Sequence, residues 1–399
     1  MAPPFTRVRR TLLLPLVSVA LLSAACQTPV PAPQQADIPG GRTLVRDGVG
    51  PDGGLVVATG DAPGDCHAPE VWRRAGDAWR EVARGPALAG ARCPPVAARL
   101  APDSRTLAIY DYSAGRAQVL DVAADGIGAT GTAAIAAEAG FAFPPPGPNL
   151  AFSGDAEKLL LGSVNRGCRA RATGGGGRAC GLAKLFERRV SGGWERVATF
   201  LPAPERDGLI RFGQSVALAP DGGLALVGGT GEPGRSGALW VYAVEPGGPR
   251  LVQILAPRGR REGWFANDLA LSGDGSWLAV GGEQSVHLYE RFGEGFAFRK
   301  LLTAPDAAAG HFGETVALSR NGRRLLVGAP RTACDEGERC GAAYLFERDR
   351  FWRLARPLRP ATEAAGANFG HHLVIGGDGR HAAVQGRALH VFTLDGGGD

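Results

Sequence analysis

Short apolar runs, separated by glycine-rich polar turns, recur along the whole chain after its first forty or so residues. Many of these runs come in pairs that are joined by an Asp-Gly or Asn-Gly step. Such a dipeptide between two apolar runs indicates a β-hairpin, and we expect a type I′ turn, in which both central residues have positive φ. The pattern therefore predicts many short antiparallel strands and no helical bundle.

Four stretches of the C-terminal half align without a gap. They read FGQSVALAPDG, FANDLALSGDG, FGETVALSRNG and FGHHLVIGGDG, and begin at Phe212, Phe265, Phe312 and Phe369. An apolar run follows each stretch, then a second run after a variable loop, and in the first three cases a further run. Each unit therefore predicts four short antiparallel strands.

The same plan recurs, with weaker anchors, in the N-terminal half. The turn anchors are Asp52, Asp103, Asp155, Asp221, Asp274, Asn321 and Asp378, roughly every 50 residues. A four-stranded sheet with two apolar faces is stable only when neighbouring sheets cover both faces, which a ring of sheets achieves. We therefore predict an all-β fold, a seven-bladed β-propeller of four-stranded antiparallel blades.

The last unit ends after ALHVFTL and has no fourth apolar run. Either the ring closes more loosely there, or a segment near the N-terminus supplies the missing strand. We favour the second alternative and expect Ala36–Thr43 to fill the slot.

Residues 1–25 have the features of an export signal. Arg7, Arg9 and Arg10 precede an apolar run over residues 12–22, and small residues then lead to Cys26. The run is too short to span a bilayer as a stable helix. The segment resembles a bacterial lipoprotein signal, although Ser23 stands where that family usually has Leu. The resemblance implies a lipid on Cys26, while ordinary secretion remains the alternative.

The following residues extend this interpretation. Gln27, which stands where an Asp would favour retention in the inner membrane of such lipoproteins, implies the outer membrane, facing the periplasm or the cell surface. Residues 26–41 are rich in Pro and Gln and are expected to form a tether. The predicted domains are therefore the signal (1–25), the lipidated Cys and tether (26–41) and the propeller (42–399).

The composition bears mainly on partners. The chain has 61 glycines, a net charge of +5 and a pI of about 9.0. Removal of residues 1–25 takes three arginines and no acid, so the net charge falls to +2. Because a nucleic-acid-binding protein concentrates its basic residues on one element, and arginine is spread along this chain, we expect no nucleic-acid partner.

Cysteine usage agrees with export. The six cysteines other than Cys26 are an even number, as an oxidising compartment favours. Six cysteines allow fifteen pairings, and proximity in the sequence favours Cys66–Cys93, Cys168–Cys180 and Cys334–Cys340. No CxxC spacing occurs, so a zinc site is less expected.

The phrases FGETVALSRNGRRLLVGAP, GAAYLFER and LTAPDAAAGHFG resemble the FG-GAP repeat of integrin alpha chains and of many bacterial exported proteins. The resemblance covers about residues 42–394 and is strongest in the sixth unit. A WD40 propeller is less favoured, because no Gly-His and Trp-Asp pairing repeats. The family often binds calcium in the first turn of a blade, but each aligned turn here has at most one acid, too few for Ca²⁺. We expect no metal and no cofactor.

Catalytic motifs are absent from the sequence: it contains neither GxSxG nor HExxH. Polar residues at the start of the predicted inner strands are candidates for the mouth of the central channel, where they would bind a small ligand or only water. These candidates are Asn149, Ser215, Asp268, Thr315 and His372. His371 and His372 are neighbours, and we expect them to point to opposite faces of a strand.

The three predicted disulfides fall in loops that a propeller places on one face. Arginines cluster in the same loops: Arg166, Arg169, Arg171, Arg178, Arg258, Arg260, Arg261, Arg331 and Arg339. Guanidinium groups suit carboxylate, phosphate and sulfate, although a solvated arginine-rich surface is an equal alternative. We predict a non-enzymatic binding or scaffold protein of the cell envelope whose partner is a protein or an anionic glycan.

Two other functions stay open. One is a propeller-based periplasmic hydrolase or lyase that uses channel residues such as Asp268 and His372. Acids within hydrogen-bond reach of a histidine at the channel mouth would favour this enzyme. The other is a purely structural lipoprotein within a larger complex.

Overall fold

The computed structural model describes the following residues: 35–38, 42–50, 53–60, 68–76, 78–85, 96–111, 116–123, 127–128, 150–164, 181–202, 211–231, 236–258, 262, 264–305, 310–334, 339–360 and 366–394. All of them belong to one compact unit, Pro33–Asp395. Every named element in these ranges is a β-strand.

The strands, in chain order, are β1 (Gln35–Ile38), β2 (Arg42–Val49), β3 (Leu55–Gly60), β4 (Pro69–Ala75), β5 (Ala78–Arg84), β6 (Val96–Leu100), β7 (Thr106–Asp111), β8 (Arg116–Val122), β9 (Ile127–Gly128), β10 (Leu150–Phe152), β11 (Lys158–Ser163), β12 (Leu182–Arg188), β13 (Trp194–Phe200), β14 (Ser215–Leu218), β15 (Leu224–Gly229), β16 (Ala238–Glu245), β17 (Gly248–Leu255), β18 (Leu269–Leu271), β19 (Trp277–Gly281), β20 (Ser285–Phe292), β21 (Gly295–Thr303), β22 (Thr315–Leu318), β23 (Arg324–Ala329), β24 (Ala342–Arg348), β25 (Trp352–Leu358), β26 (His372–Ile375), β27 (His381–Gln385) and β28 (Leu389–Thr393).

Four-stranded antiparallel sheets dominate the topology, as the sequence predicts. Strands β10–β13, β14–β17, β18–β21 and β22–β25 each form one such sheet in chain order. The first strands of successive sheets contact one another in the order β2, β6, β10, β14, β18, β22 and β26, and β26 contacts β2 again. This cycle of inner strands around an axis is the arrangement of a β-propeller.

The last sheet closes with a strand from the N-terminal end, in the order β1-β28-β27-β26. Ile38 lies opposite Leu389, and Gln35 lies opposite Phe392. Ile38 is fully buried among residues of the last and first sheets, so its burial holds the two ends of the ring together. The prediction that an N-terminal segment supplies the missing strand is confirmed. Arg42 and Thr43, however, begin β2 and do not belong to the closing strand.

One feature departs from the predicted separate blades. The sets β5-β4-β3-β2 and β6-β7-β8-β9 form a single eight-stranded sheet, because β2 and β6 share one parallel bridge, Arg46↔Arg99. The register between β2 and β3 shifts between Leu44 and Val49. The irregular segment of β2 brings its backbone beside β6, which explains the extra bridge.

The predicted type I′ turns are wrong. In the turn after β14, the amide of Gly222 donates to the carbonyl of Ala219 over 2.8 Å, and only Gly222, with φ of 68°, is left-handed. This is a type I turn followed by a left-handed residue, the pattern of a longer hairpin loop. Asp221 Oδ1 accepts the amide of Gly223 over 2.9 Å. The turn acid therefore serves the backbone of its own hairpin.

Hydrophobic layers lie between neighbouring sheets. Leu226 and Val241 of one sheet, for example, pack with Leu278 and Val280 of the next. The repeated Phe is a central part of these layers: Phe212, Phe265, Phe312 and Phe369 are at most 1% exposed. Phe212 contacts the Trp240 ring edge-to-face at 5.0 Å, so the Phe packs its unit's first strand against its third.

Candidate functional site at the channel and the loop face

A bulge in β2 shapes the centre of the ring. Residues 45–48 lie opposite a single residue of β3. A Cβ at Gly48 would lie 2.6 Å from two carbonyl oxygens, so only glycine fits there. Asp47 adopts a left-handed conformation with φ of 57°. Bulges redirect side chains, and this one directs Arg46 across the ring of inner strands.

Arg46 connects β2 to the far side of the ring. Its Nη1 lies 3.0 Å from Asp268 Oδ2, and its Nη2 donates to the carbonyls of Leu269 (2.8 Å) and Val316 (3.0 Å). Asp268 is fully buried and also accepts the amides of Leu269 and Val316, over 2.7 and 2.9 Å. Burial opposes the charge of Arg46, but Asp268 and Asp47 outweigh it and raise the pKa of Arg46.

A second arginine continues this network. Arg99 Nε lies 2.7 Å from Asp47 Oδ2, and Arg99 Nη1 donates to the carbonyl of Leu150 over 2.5 Å. Burial lowers the pKa of Arg99, and the attraction of Asp47 offsets only part of that effect. Two arginines and two aspartates thus join inner strands from opposite sides of the ring. We call Arg46, Asp47, Arg99 and Asp268 the channel brace.

The second residue after each anchoring Phe forms a polar chain at the channel mouth. Gln214 Nε2 donates to Asn267 Oδ1 over 3.3 Å, and Asn267 Nδ2 donates to the Glu314 carbonyl over 3.2 Å. His371 Nδ1 then lies 3.4 Å from Glu314 Oε1. Each of these residues directly precedes a predicted mouth residue, and together they link four consecutive sheets.

The predicted mouth residues lie deeper than expected. Ser215 and Asp268 are fully buried, and Thr315 is 6% exposed. Ser215 Oγ donates to the Ala266 carbonyl, and Thr315 Oγ1 to the Gly370 carbonyl, each over 2.7 Å. These side chains therefore fasten each sheet to the next. Asn149 lies outside the described residues.

The two neighbouring histidines do not point to opposite faces. Their ring centroids are 4.5 Å apart. The expectation fails because β26 begins at His372, so His371 lies in the preceding bend, where strand alternation does not apply. Burial above all, together with the charges of His371 and Arg46, lowers the pKa of His372 to about 3.

Glu314 lies between two imidazoles. His311 Nδ1 is 2.9 Å from Glu314 Oε2, and the His311 ring meets the Trp264 ring edge-to-face at 5.0 Å. Burial raises the pKa of Glu314, but the hydrogen bonds of His371 and His311 outweigh it, and the net pKa is lowered. Within the described ranges, no three His, Cys, Asp or Glu side chains are arranged to hold a metal ion.

A disulfide stands on the loop that joins β23 and β24. Cys334 and Cys340 are bonded, as the sequence predicts. The amide of Phe369 donates to the Cys340 carbonyl over 3.0 Å, and the amide of Gly366 to the Arg339 carbonyl over 3.0 Å. Both donors belong to the link between β25 and β26. The loop between the second and third strands of a sheet and the link into the next sheet therefore lie on the same side of the ring, here called the loop face. Cys66, Cys93, Cys168 and Cys180 lie outside the described residues.

Three of the predicted arginines can be placed. Arg258, Arg331 and Arg339 are exposed. No acidic group of the described chain lies within ion-pair distance of these guanidinium groups, and the Arg258 guanidinium lies 5.2 Å from the Phe298 ring centroid. The other candidates, outside the described residues, are Arg166, Arg169, Arg171, Arg178, Arg260 and Arg261.

Sequence reasoning missed Arg46. Its signal was present, since TLVRDGV places a charged pair and a glycine inside the first inner strand, where the aligned units have apolar runs. A glycine inside a strand pattern indicates a bulge.

No helix in the described part of the chain is long and apolar enough to cross a bilayer.

Comparisons with known proteins support the fold. Residues 297–346 match the FG-GAP repeat family. Hydrazine synthase of Kuenenia stuttgartiensis is 13% identical, with a TM-score of 0.59 over 94% of this chain and 99% of that one. A mitotic checkpoint complex chain is 11% identical, with a TM-score of 0.57 over 98% and 99%. A functionally unknown protein from Desulfotomaculum acetoxidans is 12% identical, with a TM-score of 0.54 over 82% and 90%.

At such low identities the likeness concerns the fold alone. No curated protein sequence matches the chain.

Proposed function

Because residues 297–346 carry an FG-GAP repeat within a β-propeller, we propose that the chain is a non-enzymatic binding or scaffold protein of the cell envelope. In this proposal seven blades close the ring, and Cys26 carries the lipid that holds the protein at the outer membrane. The loop face receives a protein or an anionic glycan.

The exposed arginines beside a bridged loop carry the proposal. Arg331 lies three positions before Cys334, Arg339 directly precedes Cys340, and neither arginine has an acidic partner among the described residues. A covalently closed loop loses less conformational freedom on binding. A guanidinium group offers two parallel donors to a carboxylate, phosphate or sulfate. These two guanidinium groups therefore offer anion-recognising donors on the loop face, beside the acids Asp335, Glu336 and Glu338 of the same loop.

Charge reversal tests this surface. We expect Arg331→Glu/Arg339→Glu to abolish the partners that co-purify with the solubilised protein after crosslinking in intact cells. The matched control is Arg80→Glu/Arg196→Glu, which alters two exposed arginines on the outer strands β5 and β13, away from the loop face. An unchanged partner set in the loop-face variant would overturn the proposal, as would equal losses in both variants.

The lipid anchor has its own test. The mass of the mature N-terminal peptide is expected to show an acylated Cys26, and Cys26→Ser is expected to move the protein from the membrane fraction to the soluble periplasm. A mature N-terminus at another residue would refute the anchor and leave the loop-face proposal standing.

One observation favours the enzyme as a second candidate. Glu314 lies within 3.4 Å of His371, which is 48% exposed at the channel mouth. A carboxylate and an imidazole at this distance can act as an acid–base pair. Its test is hydrolysis of a panel of glycan and ester substrates by the wild type and by Glu314→Gln. Activity that disappears in the variant would support the enzyme.

A further inference from the structure

Two protruding phenylalanines mark the side of the propeller that carries the hairpin tips, here called the turn face. Phe292, at the end of β20, is 77% exposed, and Phe351, just before β25, is 79% exposed. They occupy equivalent hairpins in two successive sheets, whose inner strands contact each other. The corresponding hairpin between β16 and β17 has Pro246 and Gly247 instead. Packing within the propeller therefore does not require an aromatic residue at these tips.

Two exposed arginines belong to the sheet that carries Phe351. Arg350 directly precedes Phe351, and Arg323 lies in the first turn of the same sheet. Both are exposed, and neither has an acidic partner among the described residues. Aromatic side chains beside arginines suit the interface of an anionic bilayer, where the ring enters the headgroup region and the cation stays at the phosphates.

The direction of β1 gives this face a specific occupant. Gln35 lies opposite Phe392 of β28. Thr393, which follows Phe392, lies opposite His381, the residue that begins β27 directly after the turn between β26 and β27. The chain that precedes Gln35 therefore leaves from the turn face. Cys26 is nine positions before Gln35, and an extended chain covers at most ~3.6 Å per residue, or about 30 Å in all.

A lipid on Cys26 would thus keep the turn face close to a membrane. The sheet that contains β1 also adjoins the sheet that carries Phe351, through the contact between β22 and β26. The aromatic tips are therefore on blades next to the point where the tether leaves.

We propose that the turn face around Phe292 and Phe351 docks on the surface of a phospholipid bilayer, so that the loop face points away from the membrane. The proposal rests on the proposed anchor at Cys26 for proximity to the bilayer. It adds an orientation: the arginines of the loop face are then presented to the compartment, and the hairpin tips to the lipid.

Photocrosslinking in intact cells tests the orientation with the full chain. p-Benzoylphenylalanine is placed singly at positions 292 and 351, and at 331 and 339 on the loop face. We expect phospholipid adducts, identified by mass, at 292 and 351 and none at 331 and 339. Protein adducts alone at 292 and 351, no lipid adduct there, or equal lipid adducts on both faces would overturn the proposal.

Vesicle binding separates docking from anchoring. The unlipidated Cys26→Ser chain is sedimented with vesicles of phosphatidylethanolamine and phosphatidylglycerol. Because burial of a phenylalanine side chain strengthens partitioning about tenfold or more, Phe292→Ser/Phe351→Ser is expected to lower the partition coefficient at least tenfold. The control, Leu301→Ser/Leu354→Ser, changes residues on outer strands of the same sheets that are 36% and 40% exposed. Equal loss in control and test variants would overturn the docking surface.

The two failures remain distinguishable. An unmodified Cys26 with lipid adducts at 292 and 351 would remove the anchor and leave the docking surface in place. An acylated Cys26 without those adducts would keep the anchor and remove the docking surface.

Discussion

Replacement of Arg46 by methionine should cost more stability than replacement of any exposed arginine. The substitution leaves Asp268 buried without its cation and removes donors to the carbonyls of Leu269 and Val316. Removal of one partner from a buried ion pair costs about 3–5 kcal/mol. The Arg46 side chain is 18% exposed and Asp268 keeps two backbone donors. We therefore expect the lower end of that range, about 3 kcal/mol.

Urea denaturation followed by tryptophan fluorescence, with disulfides intact, measures the global cost. Hydrogen exchange of the β22 peptide adds a local readout, because the Val316 amide donates to Asp268. The control is Arg299→Met, whose guanidinium lies 2.7 Å from Glu290 with both side chains more than 40% exposed. An exposed pair of this kind contributes at most ~1 kcal/mol.

A double-mutant cycle decides whether the effect belongs to the pair. If Arg46 stabilises mainly by neutralising Asp268, Arg46→Met combined with Asp268→Asn should cost less than the sum of the single changes. Additive costs, or a cost of Arg46→Met within error of the Arg299→Met control, would refute the reasoning. In that case the bulge in β2 would owe its role to packing alone.

Three further outcomes follow from particular residues. Ile38→Asp places an unpaired charge at a fully buried site, so the closing strand should detach and proteolysis near residue 38 should accelerate at least tenfold. Ser104 lies in the turn between β6 and β7 and has a left-handed φ of 57°, which costs a residue other than glycine about 1 kcal/mol, so Ser104→Gly should stabilise the fold by about that amount in urea denaturation; loss of stability would contradict this turn conformation. The pKa of His372 is lowered to about 3 in the folded protein, against about 6.5 in the unfolded chain. As the pH drops from about 6.5 towards 3, the unfolded chain therefore takes up a proton that the folded protein does not, and the stability of the fold falls. His372→Gln should flatten that part of the pH profile.

The repeating hairpins made the class of fold predictable. An apolar run, a turn with Asp or Asn and a second apolar run predict two antiparallel strands from local chemistry alone. The closing strand was also predictable, although only indirectly: the last unit lacked a strand, and the segment near Ala36, at the end of the predicted tether, was the one available to supply it. The structure pairs Gln35–Ile38 with β28.

The channel was less predictable, because its geometry depends on exceptions to alternation. Arg46 and Asp47 read as surface charges in a strand until the bulge turns them towards the axis. His371 and His372 approach each other because one precedes the strand that the other begins. The turns departed from type I′ because four residues, not two, separate Ala219 from its partner Leu224. Each error arose where the local backbone departs from the regular pattern that the sequence otherwise keeps.

The channel brace also bears on the choice between scaffold and enzyme. Asp268, the acid first suspected of catalysis, is fully buried and bonded to Arg46, so it is poorly placed to receive a proton from a substrate. Glu314 remains near the mouth, but its lowered pKa keeps it ionised and makes it a weak base, since a general base works best with a pKa near 7. This favours binding at the loop face and makes the orientation of that face the decisive measurement.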